Sequence, residues 1–249
     1  QSATWIHDRW QELAASRPDV TVEYYDHHIT NQPSIILTIP GTTLPSEVVV
    51  LGGHQDSTSG SNCSNDRAPG EDDDASGIAA LTEVIHVALK LNYHPARTVQ
   101  FMAYAAEESG LLGSDEIARA YANQHVNVVG VLQLVMTNYK GSSGDIYLIN
   151  DFTNAAQNTF LGNLVDAYLP GLVRGTTACG YPCSDHASWW SVGYAASFPF
   201  ESTFSQSNPF IHSPQDTIDK SGGNAQHALK FAKLGAAYMA ELAKGGVSN

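Results

Sequence analysis

The chain has 249 residues, 43% of them apolar, which is enough for one hydrophobic core and close to the upper size such a core serves. Its 12 Lys and Arg against 25 Asp and Glu give a formal charge of -13, so a nucleic-acid partner would have to be held against net repulsion and is set aside. No run approaches the roughly eighteen continuous apolar residues of a membrane span, and the first residues carry no basic and apolar leader pattern, so no membrane partner is expected.

Residues 3 to 15 have helical periodicity, and extended runs follow at Val20 to Tyr25, Ser34 to Ile39 and Val48 to Gly52. Ser57 to Asp74 is dense in Ser, Asn, Gly and Asp and reads as a long loop, a kind of segment that often carries function. A helix is predicted from Ser76 to about Leu91, a strand from Thr98 to Ala105 and a helix from Leu111 to about Asn123. Val126 to Met136 and Ile146 to Ile149 read as strands, Ala155 to Tyr168 as a helix, Ala195 to Phe200 as a strand and Ala225 to Ala243 as a closing helix. The alternation predicts an α/β fold with a mixed, mainly parallel twisted sheet sandwiched between helices. With no repeat and no charged linker, residues 1–249 are expected to form a single domain.

Cys179 and Cys183 are near enough in sequence to bridge across a tight turn, which suits an oxidising compartment; two reduced thiols are the alternative. So short a loop restricts the unfolded chain little, so a bridge here would shape a local surface. Cys63 is then odd and free, and Asn62, Cys63 and Ser64 form a glycosylation acceptor pattern that often arises by chance.

Val48 to Leu51 runs into His54 and Asp56, whose side chains point the same way in an extended chain, so the carboxylate can fix the imidazole tautomer. Asp72, Asp73 and Asp74 are three consecutive acids before a helix. One would be an ordinary cap, whereas three repel one another and are most cheaply held by a cation, a solvated acidic turn being the alternative. Glu107 and Glu108 follow an apolar strand, at the end where open α/β sheets bind ligands. If Glu108 holds a metal, Glu107 faces elsewhere and can act as general base on a metal-activated water. His212 completes a nitrogen and oxygen set appropriate to zinc.

These segments, with Met136 to Gly141, Cys179 to Ser188 and Pro199 to Ser202, resemble the co-catalytic zinc aminopeptidases, closest to the secreted bacterial leucyl aminopeptidases. The resemblance covers nearly the whole chain and is most specific at Gly52 to Ser57, Ala68 to Ala80, Ala103 to Glu108, Thr137 to Ser142, Cys179 to Trp189 and Ile211 to Thr217. It implies the zinc-dependent exopeptidase fold and an Asp73 that bridges two zinc ions, with His54 on one and Glu108 and His212 on the other. Glu107 is then the general base, Asp56 the carboxylate behind His54, and Tyr181 the donor to the developing oxyanion on a loop shaped by a Cys179 to Cys183 disulfide. The implied specificity pocket comprises Met136, Ile149, Cys179, Tyr181, Cys183, Phe198, Phe200, Phe204 and Ile211, suited to a large aliphatic or aromatic first residue. The implied partners are peptides with a free amino terminus, and the implied setting is extracellular, for a monomer.

Two departures qualify the resemblance. Where the family has an aspartate for the second zinc, this sequence has Val135, which cannot ligate a metal, so one firm zinc and one weak or absent zinc are expected. Gln1 also falls where family members already have several dozen residues behind them, so the chain is expected to lack that segment. The rival readings are a single-zinc glutaminyl cyclase of the same fold and a catalytically impaired peptide-binding domain. A serine hydrolase reading of the contiguous Ser184, Asp185 and His186 fails, because members of a triad must face one another in space.

Overall fold

Strands β3 (Leu44–His54), β5 (Arg97–Tyr104) and β6 (Asn127–Gln133) take their places from their apolar runs, which are buried on both faces and must lie inside a sheet. β3 pairs parallel with both neighbours, Leu51 standing opposite Phe101 on one side and Leu132 on the other. The six-stranded sheet is completed by β1 (Thr21–Tyr25) and β2 (Ser34–Ile39), antiparallel beyond β5, and by β9 (Ala196–Ser197), parallel beyond β6. The computed structural model describes residues 2–60 and 66–247; Cys63 and the Asn62, Cys63, Ser64 pattern lie outside the described residues.

Alternation along the strands divides the apolar side chains between two helix layers. Val49, Leu51, Val99, Phe101 and Leu132 enter the larger core with α1 (Ser2–Ala14), α2 (Ser76–Lys90), α4 (Ala155–Tyr168) and α6 (Ala228–Ala243), through Trp10, Leu81, Ile85, Leu161 and Phe231 among others. Val48, Val50, Met102, Tyr104 and Val131 face the opposite layer, α3 (Leu112–Asn123) and α5 (His186–Ser191), through Ile117, Ala118 and Trp189. Each fully buried Leu, Ile or Phe contributes about 1.5–3 kcal/mol relative to exposure. The fold class read from the sequence is the observed one.

Several boundaries differ, each for a local reason. The strand expected to reach Met136 ends at Gln133, because the Met136 amide turns to donate to Asp74 and Met136 takes a positive φ of 50°. The single strand expected over Ala195 to Phe200 divides: Ala196–Ser197 stays in the large sheet, while β10 (Pro199–Phe200) joins β7 (Ile146–Ile149) and β8 (Arg174–Thr177) in a small one. α6 starts three residues later than expected, because Asn138 intervenes, donating to the Asn224 carbonyl and accepting from the Ala228 amide. The two-residue pair β4 (Tyr93–His94) and β11 (Gly246–Val247) shows no sequence signal. Among the described residues, no helix is long and apolar enough to cross a membrane.

Candidate metal centre

Because β3, β5 and β6 run parallel, their carboxyl ends open on one edge, which brings His54, the Glu107–Glu108 turn and Val135 to the same place. The acids at 72 to 74 arrive there through a tight π-type turn, Glu71–Ala75, in which the Asp73–Asp74 peptide is cis. All three are buried, and they face different neighbours.

Asp74 ties the elements together. Its Oδ2 accepts from the His54 amide at 3.0 Å, and its Oδ1 accepts from the Gly77 amide at 2.9 Å and the Met136 amide at 3.3 Å. Gly77 has no alternative, since a Cβ there would lie 2.0 Å from the Leu134 carbonyl and 2.4 Å from Asp74 Oδ1. Asp72 turns the other way, accepting from the Asn138 amide and from Asn208 Nδ2. Burial and the nearby Asp72 carboxylate push Glu201 well above the ordinary carboxylate range. Asp216 accepts from the amides of both Asp72 and Asp73 and so fixes the turn from outside.

Asp73 alone faces both imidazoles. Its Oδ1 lies 3.0 Å from His54 Nε2 and its Oδ2 3.1 Å from His212 Nε2, which is also 3.2 Å from Glu108 Oε2. Asp73, Glu108 and His212 offer ligand atoms within 4.8 Å of one another, and among the described residues no other group of three meets that condition. Donors bound to zinc at 2.0–2.1 Å in a tetrahedron stand about 3.4 Å apart, so these separations fit. Glu108 Oε1 is buried without a hydrogen-bond partner among the described residues, a further opening for a cation.

Asp56 acts differently from the expectation. Its backbone carbonyl, not its carboxylate, meets His54 Nδ1 at 3.0 Å; the nearest carboxylate oxygen is 3.8 Å away. An oxygen that only accepts fixes the proton on Nδ1 and leaves Nε2 available to a cation. The carboxylate instead accepts from the amides of Glu107 and Glu108, at 3.0 and 3.1 Å, and so aims both acids. Ala106 and Met136 beside the site and His212 within it all have positive φ, between 50° and 56°. Strain of about 1–3 kcal/mol at each is tolerated where the surroundings over-determine a geometry.

The charges are unbalanced without a cation. Burial, with Asp185, Asp73 and Glu108 adding to it, pushes Glu107 up to about 8 despite His54. Hydrogen bonds to Asp73 and Glu108 push His212 up to about 10. His54 is also raised: burial opposes its charge, but Glu107, Asp73 and Asp74 overcome that. Protons held in this way occupy the role a divalent ion takes.

A cavity of about 290 Å³ opens at the cluster, lined on one side by Asp73, Glu107, Glu108 and His212 and on the other by Val135, Met136, Cys183, Phe198, Phe200, Phe204 and Ile211. Ile149 and Cys179 pack against this apolar wall without lining the cavity. Tyr181 stands at the rim, half exposed, its ring edge-on to Phe204, and Cys179 and Cys183 on either side of it form a disulfide. Gly110, Leu111, Pro182, Ser184 and Ser207 complete the lining and were not foreseen as lining residues, because their approach to the cavity depends on tertiary structure. His54 and Asp56 border a different cavity, of about 580 Å³, between α1 and α2.

The mainly parallel sheet, its two helix layers and the cluster of acids and imidazoles at its carboxyl edge make this an α/β chain with a candidate metal centre at the end of its central strands. A sequence model described as Peptidase family M28 matches residues 34–237, and the chain belongs to that family. A protein of Saccharomyces cerevisiae named as a probable aminopeptidase is 37% identical over 228 residues, covering 88% of this chain and 61% of its own length. Leucine aminopeptidase 1 of Ajellomyces capsulatus is 37% identical over 255 residues, covering 98% of this chain and 65% of its own. The crystal structure of LapA aminopeptidase from Legionella pneumophila superimposes with a TM-score of 0.89 at 31% identity, over 99% of this chain and 65% of that one. The chain thus spans less than two thirds of the length of these relatives.

Proposed function

We propose that the chain is the catalytic part of a zinc-dependent aminopeptidase that removes large apolar residues, leucine among them, from the free amino terminus of peptides. One observation carries the reading: Asp73 stands between His54 and His212, with Glu107 and Glu108 beside it, at the acidic end of a cavity whose opposite wall is apolar. The first side chain of the peptide enters among Met136, Phe198, Phe200, Phe204 and Ile211, with Ile149 and Cys179 packed against that wall. The acids attract its ammonium group.

Asp73, Glu108 and His212 would hold a zinc ion, which when bound polarises the scissile carbonyl and makes water a stronger acid. Glu107 takes the proton of the attacking water as the new carbon–oxygen bond forms. It then passes that proton to the amine that leaves, so one water is consumed and one amino acid released. The Tyr181 hydroxyl donates to the oxygen on which charge develops. Asp56 holds Glu107 and Glu108 in place through their amides. His54 and Asp73 alone form an incomplete second site, since Val135 supplies no donor, so a single zinc suffices in this reading. The disulfide accords with secretion and with action on extracellular peptides.

Product analysis tests the reaction. Zinc-loaded protein incubated with a leucine-first peptide should release free leucine and leave the N-acetylated form intact. A glutamine-first peptide should give free glutamine, slowly; ammonia and a cyclised product instead would replace this reading with the cyclase.

A further inference from the structure

The loop that carries Tyr181 has few backbone hydrogen bonds. Among the described residues, the backbone from 179 to 183 makes two hydrogen bonds, and both go to one side chain: the Cys179 amide donates to Asp151 Oδ1 at 3.0 Å and the Gly180 amide to Asp151 Oδ2 at 2.6 Å. Two successive amides converge on one carboxylate because Gly180 has a φ of 84°, a turn that makes an anion nest of adjacent N–H groups. Asp151 is itself firmly placed. It follows β7 by two residues, the Asn150 amide donates to the Thr177 carbonyl at the end of β8, and Asn154 caps α4 by accepting from the Gln157 amide. Its carboxylate therefore connects a rigid parallel strand pair to the loop immediately before Tyr181.

We infer that Asp151 is a positioning residue for the reaction: by gripping the Cys179 and Gly180 amides it sets where the Tyr181 hydroxyl stands over the cavity. The inference rests on the proposed role of Tyr181 as the donor to the oxyanion. The disulfide closes the loop between Cys179 and Cys183 and both cysteines pack on the apolar wall, while the backbone hydrogen bonds that tie the loop to the end of β7 are those to Asp151. Losing one such donor outright costs roughly 10²–10³ in rate, so misplacing it costs less, on the order of tenfold.

The test uses the zinc-loaded chain, a leucyl p-nitroanilide and four variants: Asp151→Ala, Asp151→Asn, Tyr181→Phe and Asp151→Ala with Tyr181→Phe. Asp151→Ala should lower kcat about tenfold with KM nearly unchanged, Asp151→Asn, which keeps one acceptor, should fall between, and Asp151→Ala should add nothing once Tyr181 is Phe. Hydrogen exchange should quicken at the 179 and 180 amides and nowhere in the large sheet; if Asp151→Ala does not fold, Asp151→Asn carries both readouts. A slow Tyr181→Phe beside Asp151 variants at the wild-type rate would overturn the role of Asp151 alone. An equal loss from Asp151→Ala with or without Tyr181 would overturn it too. A Tyr181→Phe enzyme of undiminished kcat would sink the reading of Tyr181 and this inference together.

Discussion

Glu107→Ala should lower kcat on a leucyl p-nitroanilide by about 10²–10⁴-fold, the usual contribution of a general base, while zinc content stays near that of the unaltered chain. The two effects separate because the groups do. Glu108, Asp73 and His212 supply the converging donor atoms, whereas Glu107 Oε2 is 4.0 Å from His54 Nε2 and lies outside that set. Burial, with the neighbouring acids adding to it, raises Glu107 in the metal-free protein, so its proton affinity is set by this buried acidic surrounding. Rate and bound zinc, measured on one preparation, decide it: undiminished turnover removes Glu107 from the mechanism, and zinc loss with the rate moves it among the metal donors.

Val135→Asp should raise zinc stoichiometry from about one to about two and make stability depend on metal more strongly. Val135 is 3% exposed and packs with Met136, Phe198 and Phe200, so a carboxylate there loses that apolar packing and is buried. Without metal the buried acid costs roughly 1–3 kcal/mol, lowering Tm. With metal it would join His54 and Asp73 as a third donor and recover that loss. Calorimetric titration and thermal melts with and without chelator read both parts; an unchanged stoichiometry would mean that Val135 is not what limits the second site.

The sequence carried the fold well, because the apolar runs of β3, β5 and β6 and the long helices announce themselves by periodicity. It also placed His54 and the Glu107–Glu108 pair at strand ends and the acids at 72 to 74 just before a helix. The residues alone could not distribute roles within the triplet at 72 to 74, and only the family resemblance singled out Asp73: Asp74 also grips the distant Met136 amide, and Asp72 grips two nitrogen donors, of Asn138 and Asn208, that lie more than 60 residues away. For the same reason Asp56 was expected to touch His54 with its carboxylate and touches it with its carbonyl. Positive φ at Ala106, Met136 and His212, and the grip of Asp151 on the Tyr181 loop, belong to tertiary structure and leave no trace in local periodicity.

The most direct test is to titrate zinc into metal-free protein while following hydrolysis of leucyl p-nitroanilide. The rate should rise from near zero and saturate close to one equivalent, held by Asp73, Glu108 and His212. No hydrolysis at any zinc level would contradict this.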